Sequence, residues 1–299
     1  MEFGATIGTR RPHASTSELI LRWRVALVAA LLVLAGLAWW STGVRMAGMD
    51  AGPGTDPGAL GFYITTWVVM MAAMMFPSIA PMVLMYAGIQ RGRRAQGIAT
   101  ERGSIVAFVG GYLLLWGLVG FVGYAVLKLG RSLDGGFFAW DRAGRWTAAG
   151  VLAAAALYEL TPAKNVCLRH CRGPVGFLME HWRDGRVGAL RMGLVHGGWC
   201  VGCCWALMAA LFALGAMSVG WMAFVAALIA AEKLVPWRLV AVGGVAALLA
   251  ALAIWVAAAP GSVPGLTIPT DVNGMSMQGG SMHGMSKPAH SMGSDGMSH

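Results

Sequence analysis

The stretch MGLVHGGWCVGCCWALMAALFAL, residues 192–214, runs for 23 residues without a charged side chain. As a helix it extends about 34 Å, enough to cross the roughly 30 Å hydrocarbon core of a bilayer. It also carries one imidazole and three thiols at 196, 200, 203 and 204, positions that fall on a single helical face. Polar and ionisable groups inside a membrane are costly, and those that persist usually serve function. This one segment therefore places the chain among membrane proteins and marks where its chemistry sits.

Working outward, six more apolar stretches follow the same rule, at about 23–40, 62–86, 104–127, 146–160, 219–231 and 237–258. Those at 146–160 and 219–231 are short for a crossing. The reading is all-α: a polytopic transmembrane bundle of about seven helices. A cytoplasmic segment 1–21 precedes a helical domain 22–259, and a disordered tail occupies 260–299. The first stretch is read as a retained signal anchor, because no A-x-A cleavage site follows it and Trp39-Trp40 resembles an interfacial belt.

Charged residues make up 12% of the 299-residue chain, against about 25% in ordinary soluble domains, which excludes a soluble enzyme. The net charge of +9 is not a nucleic-acid signature, since its Lys and Arg residues lie between the apolar blocks. With the N-terminus in the cytoplasm, sixteen of the 22 fall inside and six outside. That split predicts a cytoplasmic N-terminus and, with an odd number of spans, an extracytoplasmic tail.

Three further constellations carry soft ligands. Thr161-Pro162-Ala-Lys164-Asn165-Val-Cys167-Leu-Arg169-His170-Cys171-Arg172 sets two thiols at i, i+4 beside cations that favour thiolate forms. Met70-Met71-Ala-Ala-Met74-Met75-Phe-Pro77-Ser78-Ile-Ala-Pro81-Met82 puts Met71, Met74 and Met75 on a shared face, with two prolines expected to kink or interrupt the span. Mid-span thioethers there sit at the depth expected for Cys203 and Cys204. The last 25 residues hold six methionines and three histidines, among them Met275, Met277, Met282, His283, Met285 and His290. Gly173–Arg191 reads as a short interfacial helix. Glu159 with Lys164 and Glu232 with Lys233 read as interfacial ion pairs whose long side chains snorkel to water.

The five cysteines, Cys167, Cys171, Cys200, Cys203 and Cys204, crowd into 38 residues and make a poor disulfide framework. Thiols with thioethers select Cu(I) first, zinc or another transition metal being the alternative. No G-x-x-x-x-G-K-[ST] loop or D-K-T-G-like phosphorylation motif occurs, which argues against an ATP-driven pump.

The strings W…MMAAMMFPSIAPM, YELTPAKNVCLRHC and GLVHGGWCVGCCWALM resemble the DUF2182 family of predicted metal-binding integral membrane proteins, over about residues 62–235. The resemblance implies a bacterial membrane location and a metal site at Cys167, Cys171, His196, Cys200, Cys203 and Cys204. The leading expectation is a protein that binds copper and moves or delivers it. Its partners are the bilayer, the metal ion and a membrane or periplasmic metalloprotein. Alternatives are a subunit of a copper-dependent oxidase or monooxygenase, and a metal-insertion factor.

Overall fold

The computed structural model describes residues 16–47, 58–133, 144–215 and 218–263. Within them the chain is a helical bundle without strands. Its elements are α1 (Thr16–Met46), α2 (Leu60–Ala95), α3 (Ser104–Leu133), α4 (Arg145–Glu159), α5 (Pro162–Arg172), α6 (Pro174–His181), α7 (Gly185–Leu214), α8 (Val219–Leu234) and α9 (Arg238–Ala258). Every apolar stretch of the sequence is helical. Residues 1–15 and the tail beyond residue 263 lie outside the described residues, and with the tail go Met275, Met277, Met282, His283, Met285 and His290.

Among the described residues five helices, rather than seven, are long and apolar enough to cross a bilayer: α1, α2, α3, α7 and α9. The helices α4 and α8 have 15 and 16 residues, about 23–24 Å against a core of roughly 30 Å. Both end beside the middle of α7. The Tyr158 hydroxyl, at the end of α4, donates to the Gly202 carbonyl oxygen at 2.6 Å. Lys233, at the end of α8, reaches Cys200 at 3.0 Å. Broken helices of this kind bring polar helix ends into the interior of a bundle, where their free carbonyls need partners. Arg172 supplies two, donating to the carbonyl oxygens of Glu232 (2.8 Å) and Val235 (2.5 Å) at the end of α8.

The expected break in α2 does not occur; the helix continues through Pro77 and Pro81. Pro77 has no N–H for the carbonyl of Ala73, four residues back. The Trp39 indole of α1 donates to that oxygen instead, at 3.1 Å. The short helix expected within 173–191 is present as α6, but Phe177 and Leu178 are buried in the bundle, so its apolar face covers protein.

The helix α3 packs closely against α7. At Gly193 an added Cβ would collide with the Phe108 carbonyl, so glycine is what permits this approach.

Candidate metal centre

The helix α5 is built to dock on α7. Thr161 caps it, the side-chain oxygen accepting from the Lys164 backbone N–H at 3.3 Å, and Pro162 occupies the first turn where a missing N–H costs nothing. Positions 167, 170 and 171 then share a face turned toward α7. The Cys167 thiol lies over Gly202, where a Cβ would come within 2.7 Å of the sulfur. His170 stacks on Trp199, with ring centroids 4.0 Å apart and planes 5° from parallel. Cys171 meets Cys203, sulfur to sulfur, at 3.6 Å.

This docking creates the cluster. The sulfurs of Cys171, Cys200 and Cys203 all lie within 4.8 Å of one another. Cys200 and Cys203 are 1% exposed. All five cysteines are free thiols. The group expected at the cytoplasmic end of the fourth apolar stretch and the group expected in the fifth are thus one centre, sharing Cys171. The Cys204 thiol donates to the Cys200 carbonyl oxygen at 2.9 Å, and Cys203 does the same at 3.1 Å. Cys204, Cys167 and His196 lie outside the three-sulfur group. His196 is 3% exposed, and its Nδ1 has no hydrogen-bond partner. Met71, Met74 and Met75 are all buried. Met75 is tied to the cluster through Ser78, whose hydroxyl bonds the Met75 carbonyl at 2.9 Å and lies 3.4 Å from Lys233.

Two groups at the centre were not legible as site residues. The Lys233 ammonium donates to Cys200 Sγ at 3.0 Å, and the Tyr112 hydroxyl lies 3.1 Å from the same sulfur. The signal for Lys233 is its neighbour. Adjacent residues on a helix do not face each other, so Glu232 and Lys233 need separate partners. Glu232 takes Lys164 (2.7 Å), and Lys164 also pairs with Glu159. These three are 0–2% exposed, which corrects the reading of snorkelling surface pairs: α4, α5 and α8 converge and close them off from water.

The cations near Cys167 and Cys171 are also engaged elsewhere. Lys164 lies in the carboxylate pair and Arg172 on the α8 carbonyls. Burial therefore raises the Cys167 thiol above its ordinary value. Hydrogen bonding to Cys200 and Cys203, together with burial, pushes the Cys171 thiol well up. The centre sets three sulfur atoms against one ammonium, that of Lys233. Three sulfur donors from two helices suit a soft ion.

A family model described as "PpoB2: Copper chaperone" matches residues 64–256. No curated protein matches the chain, and no solved structure does. The DUF2182 resemblance covers nearly the same stretch and agrees in kind, but the family shown is PpoB2. The matched region spans α2 to α9 and contains Cys171, Cys200, Cys203, Tyr112 and Lys233. With that match over more than half of its length, the chain belongs to the PpoB2 copper chaperone family.

Proposed function

We propose that the chain is a multi-pass inner-membrane copper chaperone that holds Cu(I) between Cys171, Cys200 and Cys203 and delivers it to a metalloprotein partner. The observation that carries this reading is the meeting of three sulfurs, from two helices, within 4.8 Å. Thiolates prefer Cu(I) over harder ions. Lys233 offsets part of the negative charge that bound thiolates bring into a buried site, where unpaired charge is costly. The lysine also suits a carrier, because it gives Cys200 a partner whenever the ion has left.

In this reading the N-terminus is cytoplasmic and the tail lies outside. The tail gathers copper through Met275, Met277, Met282, His283, Met285 and His290. His196, Cys167, Cys204 and the Met71/Met74/Met75 face serve the ion as it moves to and from the three-sulfur site.

The test is elemental analysis after Cu(I) loading in lipid nanodiscs. A tail deletion ending at Leu266 should retain about one ion per chain, as a single three-sulfur site requires. Adding Cys203→Ser should abolish that retention. Loss of all copper on tail deletion alone would overturn the reading. Copper that resists chelators, with a product formed from an oxidisable substrate, would replace it with the oxidase or monooxygenase alternative.

A further inference from the structure

Potential soft ligands recur along one face of α7 from near its start to its midpoint. Met192, His196, Cys200 and Cys203 stand at i, i+4, i+8 and i+11, one helical turn after another, and none is more than 3% exposed. The thiol cluster uses only the last two. Met192 also lines a cavity of about 380 Å³, together with His181, Trp182, Arg183 and Arg191. His181 Nδ1 donates to the Phe177 carbonyl oxygen at 3.2 Å. A carbonyl can only accept, so in the neutral ring Nε2 carries the lone pair that a metal needs. The Phe177 ring stands between the two imidazoles. It stacks on His181 with centroids 4.7 Å apart and meets His196 edge-on at 5.1 Å. His196 is buried with an unpartnered Nδ1, a feature that buried polar atoms seldom show without a reason.

We propose that this cavity is a transit site for Cu(I), distinct from the thiol cluster. Met192 and His181 hold the ion at the cavity, and His196 relays it to or from Cys200. The proposal rests on the reading of the cluster as a copper site. Thioether and imidazole are the right donors for such a role. They bind Cu(I) without having to lose a proton, and more weakly than thiolates, so the ion is passed along rather than trapped.

The experiment uses the full chain in nanodiscs, loaded with one equivalent of Cu(I). Thiolate-bound copper is followed by its ultraviolet charge-transfer absorption, which the Met/His tail does not produce. Removal by an excess of a water-soluble Cu(I) chelator is timed. Met192→Leu conserves volume and apolarity, and His181→Phe keeps the stack on Phe177. Each should leave the equilibrium absorption unchanged and slow removal by about tenfold, the low end of what partners outside a metal's own ligand set contribute. A wild-type rate in either variant overturns the transit site. Loss of the equilibrium absorption in either variant also overturns it, because that residue would then belong to the cluster itself. A wild-type chain with no thiolate-bound copper removes the functional reading first, before any variant is compared.

Discussion

Two buried polar centres lie side by side at the convergence of α5 and α8, and they are built on opposite principles. One is the thiol group of Cys171, Cys200 and Cys203, with Lys233 and Tyr112 against it. The other is the Glu159–Lys164–Glu232 triad. Thiols are small, weakly polar and tolerated in a core with or without a ligand. Carboxylates and an ammonium are tolerated only together. The triad is therefore the brace, and in the proposed function the thiols are the instrument. Lys164 sits two turns before Cys171 on α5, so the ion pairs that fix the helix also aim its thiol at Cys203.

The comparison breaks most visibly at Lys164. Lys164→Met leaves two buried carboxylates without their cation and should cost about 3–5 kcal/mol, the usual scale for an orphaned buried charge. Thermal unfolding in detergent would show it as a large fall in midpoint. Replacing Glu159 and Glu232 by Gln in the same chain should restore much of the loss. If Lys164→Met melts like wild type, the triad is not a brace and the contrast fails.

Gly202, beside Cys203 on α7 and under the Cys167 thiol of α5, sharpens the distinction. A Cβ there would sit 2.7 Å from Cys167 Sγ, so Gly202→Ala makes the Cys167 thiol rotate away or α5 shift from α7, and the shift is the outcome expected here. Overpacking of this kind costs about 1–3 kcal/mol. The same shift moves Cys171 off Cys203, so copper affinity in a chelator competition should fall along with stability. Adding Cys167→Ala removes the colliding sulfur and should recover both. Recovery of stability without recovery of affinity would place Cys167 among the ligands.

The sequence makes both sets of thiols readable and conceals only that α5 and α7 bring them together, for a physical reason. Spacing along one helix is fixed by 3.6 residues per turn, so the shared face of Cys200 and Cys203 follows from their numbers alone. The meeting of Cys171 with Cys203 depends on how two helices dock, which no periodicity encodes. Helix identity was readable from the apolar blocks. The depth of α4 and α8 was not, because a 15-residue apolar run fits the middle of a crossing completed by its flanking residues as well as a helix that stops halfway. Glu159 and Glu232 lie beside lysines in the sequence, and nothing local distinguishes a surface pair from a buried one. The triad becomes necessary only once α4, α5 and α8 converge.

The smallest expected effect concerns the far side of α2, where a polar group is satisfied with no chemistry at stake. Trp39 donates to the Ala73 carbonyl that Pro77 leaves open. Trp39→Phe should cost about 1 kcal/mol from that hydrogen bond, in addition to whatever packing the smaller ring loses. Pro77→Ala returns an N–H to position 77, and the ordinary helical bond to Ala73 can then form without the indole. In a Pro77→Ala background the packing part of the Trp39→Phe cost remains and the hydrogen-bond part disappears. The difference between the two backgrounds in unfolding free energy isolates the bond itself. A coupling near 1 kcal/mol makes α1 a cap for a proline-opened helix. A coupling of zero means that water or a neighbouring side chain serves Ala73 equally well, and α1 is then held to α2 by packing alone.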